Sequence, residues 1–240
     1  MILPTSRPGQ AQRGTVWAII PLAAVTALVV VPVIAVVIAG LNAQSLSEFT
    51  DSTTWRIVAY TAFQALVSTA LSIGLAMPAA YALYRLSMPG RRTLLAVLTL
   101  PFILPTVVVG LAFRELLPFP GTTAAIVIAH VFFNVGLAVR VIGSLWGHLD
   151  PRMREVASTL GLTPIHAFVR VTLPPLTPAI LSAAILIFLF TFTSFGVVLI
   201  LGDPSLPTIE VAIYTAAVQR LDLSEAAALA LLQFAFVASA

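Results

Sequence analysis

Five runs of predominantly apolar residues, at about 16–40, 57–84, 94–117, 122–146 and 176–201, dominate this chain. Each is long enough to cross a bilayer, which takes about 20 residues of helix. A sixth run begins near 223 and reaches 240 with no flanking charge or polar tail. Backbone N–H and C=O groups find no partners in hydrocarbon, so such runs must close their hydrogen bonds within themselves as helices. Composition agrees: of 240 residues, 60% are hydrophobic and 9% charged, with a mean hydropathy of +1.06. A soluble domain carries about 25% charged residues. The expected fold is therefore all-α, a polytopic membrane bundle of about six transmembrane helices, with lipid as the solvent of most of the chain. The first run holds about 24 apolar residues, whereas the apolar region of a secretory signal spans about 7–15. It reads as a retained span.

The charges give an orientation. Arg7, Arg13, Arg85, Arg91, Arg92, Arg140, Arg152, Arg154 and Arg170 belong to the N-terminus and the even-numbered connections, nine of the twelve Arg, beside only Asp150 and Glu155. The other side holds Arg56, Arg114 and Arg220 with Glu48, Asp51, Glu115, Asp203, Glu210, Asp222 and Glu225. Cationic connections stay in the cytoplasm, so the N-terminus and the connection 147–175 are expected inside. The net charge of +3 is a topology signal and not a nucleic-acid surface. With no Cys, disulfides and thiolate chemistry are excluded.

Pro32, Pro78, Pro101 and Pro105 fall inside apolar runs, as do Gly74, Ala76, Gly110, Gly136 and Gly196. Prolines in lipid are tolerated where neighbouring helices re-satisfy the backbone, and small residues let helices approach closely. A packed bundle is expected. On the second run Thr61, Gln64, Ser68 and Ser72 recur at helical spacing and form one polar stripe. Such a stripe faces the bundle, either lining a translocation path or bonding helix to helix. Thr191, Thr193 and Ser194 on the fifth run carry the same two readings. Arg140 is expected near the cytoplasmic end of the fourth run, snorkelling as an anchor, because a charge at mid-bilayer costs about 2.5–3.5 kcal/mol.

The connection 150–178, DPRMREVASTLGLTPIHAFVRVTLPPLTP, reads as two short helices. Asp150 with Pro151 starts one, and Gly161 ends it in the left-handed conformation. Thr163 with Pro164 starts the second, which is expected to stop at Leu173-Pro174-Pro175, with a new helix from Thr177-Pro178. Two short capped helices held at a fixed angle form a rigid lever.

The spacing Glu155-Val156-Ala157, Gly161, Val171 and Leu173-Pro174 resembles the EAA loop of ATP-binding-cassette importer permeases, EAA-x3-G-x9-I-x-LP, with Val156 and Val171 as the two departures. The segments around Asn134, Gly136, Arg140 and Trp146, at 193–198, and at 208–214 resemble iron(III) and thiamine permeases of the MetI-like class. These are often two fused halves of about six spans, and the chain looks like the first of them, a permease domain over 1–240 that is incomplete at its C-terminus. The resemblance implies that the loop 147–175 docks a separate ATPase. Glu155, Ala157, Leu160, Gly161, Thr163, His166, Phe168 and Pro174 are then the docking residues, with Ala157 and Gly161 permitting close approach and Arg154 and Glu155 forming charge pairs. The possible translocation path is Thr61, Gln64, Ser68, Thr191, Thr193 and Ser194. Implied partners are ABC ATPase subunits, a solute-binding protein, a second permease half and the lipid bilayer, with no nucleic acid. Glu210, Arg220 and Asp222, around a short amphipathic helix on the outer face, are candidates for the binding-protein contact.

No chemistry of its own is evident. His130, His148 and His166 lack metal-ligand spacing, and GxxxxGK[ST] is absent, so ATP hydrolysis is expected on another chain. No cofactor, metal site or catalytic residue is expected. A membrane-embedded enzyme needs ionisable groups within reach of one another inside the spans, which the sequence does not supply. A scaffold subunit without a pathway is the remaining alternative, and the polar stripe and the EAA-like loop weigh against it.

Overall fold

The computed structural model describes residues 8–40 and 49–239, with side chains over 19–38 and 49–239. Arg7, the Arg13 side chain, Ser47, Glu48 and Ala240 lie outside the described residues. All regular structure within them is helical. In chain order the helices are α1 (Pro8–Gly40), α2 (Ser52–Arg85), α3 (Arg91–Val97), α4 (Leu100–Ile103), α5 (Thr106–Leu116), α6 (Thr123–His148), α7 (Arg152–Thr159), α8 (Pro164–Ala167), α9 (Leu173–Phe192), α10 (Gly196–Leu201), α11 (Ile209–Tyr214) and α12 (Leu223–Ser239).

Four helical segments are long and apolar enough to span a membrane: Ile19–Ile38, Ser52–Arg85, Thr123–His148 and Pro164–Phe192. The third apolar run is not one straight helix. It breaks at Leu104-Pro105, and its two parts, Arg91–Ile103 and Thr106–Leu116, meet at 100°. The cause is local: a residue before proline is driven to extended backbone, and Leu104 sits at ψ 138. The fifth run also breaks, at Thr193–Phe195 between α9 and α10. The last helix, Leu223–Ser239, has 17 residues.

The core is α2, α6 and α9 packed against one another, with many small side chains among the larger Ile142, Leu176 and Ile187. Small side chains lie inside: Ala65, Ala76 and Ala80 of α2 and Ala129 and Ala138 of α6 are fully buried, whereas Phe63, Leu66, Leu71 and Leu75 face outward. Without a hydrophobic drive between helices in lipid, close backbone approach is what holds them. Gly136 is the sharpest case, since a Cβ there would lie 1.8 Å from the Leu98 carbonyl oxygen. At Gly196 a Cβ would lie 2.6 Å from Thr106 Oγ1, and at Gly110 3.2 Å from Ile200. Gly74 departs from the expectation: it is exposed, with nothing within 4 Å of a Cβ. Its place on α2 points away from the helices that the stripe faces.

The polar stripe of α2 is wholly buried. The Thr61 and Ser72 hydroxyls donate to Ile57 and Ser68 carbonyls four residues back, both at 2.7 Å. Thr61 Oγ1 also accepts the Ile209 N–H (3.0 Å), Gln64 Nε2 donates to the Thr191 carbonyl (3.0 Å), and Ser68 Oγ meets His130 Nδ1 (3.4 Å). Thus the stripe ties α2 to α11, α9 and α6. Arg140 donates to the Leu95 carbonyl at 2.9 Å, anchoring α3 on α6. α1 packs on α12, and nearly all its apolar side chains over 19–38 are exposed.

Candidate functional site

The connection between α6 and α9 folds largely as its capping residues dictate. Asp150 Oδ1 accepts the Arg152 N–H at 2.9 Å, supplying one of the partners that a helix start lacks. At the other end Gly161 takes φ +77, its N–H donating to Ser158 O (3.0 Å) while Leu162 N–H donates to Ala157 O (3.1 Å). That pair of bonds closes the end in a Schellman motif. Thr163 Oγ1 accepts the His166 N–H at 3.4 Å and meets His166 Nδ1 at 2.7 Å, with Pro164 at the first turn.

The expected stop at Leu173-Pro174-Pro175 does not occur. α8 runs through a π turn, Phe168–Thr172, straight into α9, with the Leu173 N–H reaching Phe168 O five residues back. Pro174 and Pro175 have no N–H, and their rings would crowd carbonyls four residues behind. Widening the helix by one residue just before them relieves that crowding. The lever therefore joins a spanning helix, Pro164–Phe192, without interruption.

The loop presents an apolar surface to its surroundings. Leu160 and Ile165 are each 75% exposed, and Val156 and Met153 are also exposed. Glu155, Gly161, Thr163, His166 and Pro174 are exposed as well. Two docking candidates sit elsewhere. Ala157 is buried, so its small side chain serves packing within the chain and not approach to a partner. Phe168 turns inward onto Trp146, ring centroids 5.9 Å apart. Sequence reasoning missed Met153, Val156 and Ile165. The first two with Leu160 follow i, i+3, i+7 spacing, an apolar face on an otherwise polar helix that was readable as a docking signal.

Beneath the loop is a pedestal. Arg154 Nη1 donates to Tyr81 Oη at 2.8 Å, and its guanidinium lies 5.7 Å from the Tyr81 ring centroid. Tyr81 in turn packs on Trp146 at 5.5 Å. Arg85 Nη1 donates to the Leu149 carbonyl (2.8 Å) at the end of α6, a favourable place for a cation. These contacts fasten the loop to the ends of α2 and α6, and a cavity of about 360 Å³ lies among them. Within the loop neither Arg154 nor Glu155 forms an ion pair, Arg154 being engaged by Tyr81; the ion pair among the described residues joins Arg220 to Glu225.

A second cavity, about 510 Å³, lies where both broken runs open. It is lined by Thr106 from the start of α5, by His130 and Asn134 from α6, by Thr193, Ser194 and Phe195 at the α9–α10 break, and by Phe102, Phe133 and Phe190. Of the six pathway candidates Thr193 and Ser194 line it. Thr191 is buried, bonding the Ile187 carbonyl at 2.8 Å. Thr61, Gln64 and Ser68 lie in the helix contacts described above. His130 and Asn134, four residues apart on one face of α6, are not among the pathway candidates of the sequence, although that i, i+4 spacing of two polar residues in an apolar run is a readable signal. Of the binding-protein candidates, Glu210 accepts from Gln233 Nε2 (2.6 Å) and Asp222 caps α12 by accepting the Ser224 and Glu225 N–H groups. Both are engaged within the chain.

This all-α bundle, with its two-helix connection and a cavity at paired helix breaks, shares its fold with solved ABC transporters. Over 95% of this chain and 93% of the other, the structure superposes with TM-score 0.77 and 15% identity on the bacterial ABC transporter involved in import of the acidic polysaccharide alginate. A second structure of the alginate transporter, in complex with an alginate pentasaccharide-bound periplasmic protein, gives TM-score 0.76 at 16% identity over 95% and 92% of the two chains. The chain is homologous to thiamine transport system permeases: it is 34% identical to ThiP of Escherichia coli, over 90% of this chain and 45% of the relative. ThiP of Haemophilus influenzae is 33% identical over 82% and 40%, and the sulfate permease CysT of Salmonella typhimurium 33% over 51% and 50%. The chain spans about half the length of the curated thiamine permeases it matches. No family model matches it. These relatives are transport permeases and not enzymes.

Proposed function

We propose that this chain is one half of the membrane pathway of an ABC importer, passing a solute delivered by an extracytoplasmic binding protein. The observation that carries the proposal is the lever between α6 and α9, two capped helices with an exposed apolar face, rigidly continued into a spanning helix. A separate ATPase docks there through Val156, Leu160, Gly161, Thr163, Ile165 and His166, with Glu155 at the rim, and ATP is hydrolysed on that subunit. Movement of the lever is delivered to α9 directly and to α2 and α6 through the Arg154–Tyr81 and Arg85–Leu149 contacts. The second permease half, fused or separate, completes the path, and the assembly resides in the bacterial inner membrane. Thiamine is the proposed solute, on the strength of the likeness to thiamine permeases. The membrane-enzyme alternative draws no support from the cavity, which lacks carboxylates and paired ionisable groups among the described residues.

The orientation belongs to the proposal: N-terminus and lever in the cytoplasm, supported by the Arg distribution. In a chain without native Cys, Ser158→Cys is expected to label only from the cytoplasm and Ser47→Cys only from outside. The reverse pattern sinks the orientation. Function is tested by reconstituting the full permease with ATPase and binding protein and measuring ATP-dependent thiamine uptake; a complex that neither assembles nor transports removes the proposal.

A further inference from the structure

The chemistry of the cavity at the two helix breaks selects among solutes. Its lining holds several phenyl rings, with Phe102 and Phe190 meeting edge to face at 5.6 Å, and no Arg, Asp or Glu. The polar groups it offers are neutral: hydroxyls of Thr106 and Ser194 that both donate and accept, and the amide of Asn134. Asn134 uses its Nδ2 donor on the His130 carbonyl (2.8 Å), and its Oδ1 accepts no hydrogen bond from the described residues. Thr193 donates its hydroxyl hydrogen to Leu189 O (2.8 Å), which leaves lone pairs on its Oγ1. The Ser194 hydroxyl bonds none of the described residues, though its N–H does. His130, 2% exposed, keeps Nε2 without a partner.

Such a lining discriminates. A sulfate-like dianion finds hydroxyl donors here but no cation, and leaving its charge unbalanced in a low-dielectric site is costly. A bare ferric ion needs hard anionic oxygen ligands, and the lining supplies no carboxylate. A flat heteroaromatic cation bearing an amine fits on both counts. Phenyl faces attract a cation electrostatically within about 6 Å of the ring centroid, and amine N–H groups find the Asn134 and Thr193 oxygens. The volume, about 510 Å³, lies within the range of small-molecule sites, about 300–1,000 Å³.

We infer that this cavity is a solute-recognition site within the pathway, taking an amine-bearing aromatic cation through Asn134, Ser194 and the phenyl rings, and rejecting oxyanions. The inference rests on the importer reading above and adds the site and its selectivity.

The test uses the complete reconstituted importer, with thiamine and sulfate as probes. Asn134→Leu is expected to raise the KM for thiamine uptake about tenfold, the loss of one hydrogen bond to a charged solute, with ATPase co-purification retained. Because Asn134→Leu also disturbs a buried bond, Ser194→Cys provides an independent readout. Thiamine is expected to slow its reaction with a small thiol reagent, and sulfate at the same concentration is not. Wild-type complex that transports thiamine while both variants behave as wild type, with no protection at Ser194→Cys, overturns the site but leaves the importer reading standing. A thiol that no reagent reaches, the second half filling the cavity, overturns it too, and equal protection by sulfate overturns the selectivity.

Discussion

The lever and the cavity are built by opposite means. In the lever, which lies among polar and charged residues, every turn is decided by neighbours in sequence: Asp150 holds Arg152 N–H, Gly161 closes α7, and Thr163 opens α8. At the cavity the breaks at Leu104-Pro105 and Thr193–Phe195 sit inside apolar runs; a proline starts the first, but the walls around both are closed by distant partners. Gly196 lies against Thr106, about ninety residues away in sequence, and Asn134 and His130 of α6 complete the wall. Polar surroundings reward local hydrogen-bond closure, whereas lipid forces a broken helix to find its closure across the bundle. A lever fixed locally keeps its shape while it moves as a unit. A cavity fixed by contacts across the bundle changes when those helices shift, which is what a pathway requires.

The largest effect is expected where the lever depends on one backbone conformation. Gly161→Val meets no side chain, since nothing lies within 4 Å of a Cβ there. The left-handed backbone itself costs a β-branched residue about 1–2 kcal/mol, and the second helix is re-aimed when the Schellman closure is lost. Uptake should be abolished while the protein remains inserted, and Gly161→Asn, which tolerates that conformation, should retain much of it. Co-purification of the ATPase with substrate-stimulated hydrolysis measures both. If Gly161→Val keeps wild-type coupling, the lever is not the coupling element.

On the bundle side the matching experiment is Gly136→Ala. Its Cβ would press on the Leu98 carbonyl at 1.8 Å, so α6 must part from the α3–α4 segment. The expected loss is about 3 kcal/mol, read as a drop in the midpoint of thermal unfolding in detergent. Gly74→Ala, facing open space on α2, should be neutral or slightly stabilising. Equal behaviour of the two would remove close approach as the organising principle of the bundle.

How far the sequence carried this structure follows the same division. The apolar runs, the caps at Asp150, Gly161 and Thr163, and the burial of Thr61, Gln64, Ser68 and Ser72 were all legible, because length, cap chemistry and helical period are local properties. The continuity of α8 into α9 was not: Leu173-Pro174-Pro175 looks like a stop, and only a π turn at Phe168–Thr172 lets the helix pass it. Nor was the inward turn of Phe168, which depends on Trp146, or the burial of Ala157. Pro105 announced the break itself, which is local, but not its 100° angle or the cavity beside it, where α5 packs on α6 and α10.

Tyr81→Phe probes the junction between the two regions at smaller amplitude. It removes only the oxygen that accepts from Arg154 at 2.8 Å and keeps the ring against Trp146. A bond this exposed contributes about 1 kcal/mol. The expected phenotype is looser coupling, with ATP hydrolysis retained and solute moved per ATP reduced. Arg154→Lys should mimic it, because lysine lacks the planar fork that reaches Tyr81 while lying near its ring. An unchanged ratio of transport to hydrolysis would confine the pedestal to a structural role.

The smallest effect is expected from Gln64→Leu, and it separates the two readings of the polar stripe. Gln64 Nε2 bonds the carbonyls of Thr61 and Thr191 at 3.1 and 3.0 Å, but its buried Oε1 has no partner. Removing the side-chain amide gives up an interhelical bond, worth about 0.6 kcal/mol in membrane bundles, and at the same time relieves an unsatisfied acceptor, so the two changes largely cancel. Stability in detergent should shift by no more than about 1 kcal/mol, and the KM for uptake should stay where it is, because Gln64 joins α2 to α9 and does not line the cavity. A several-fold change in KM at unchanged stability would instead place the α2 stripe on the solute's route and move the pathway away from the helix breaks.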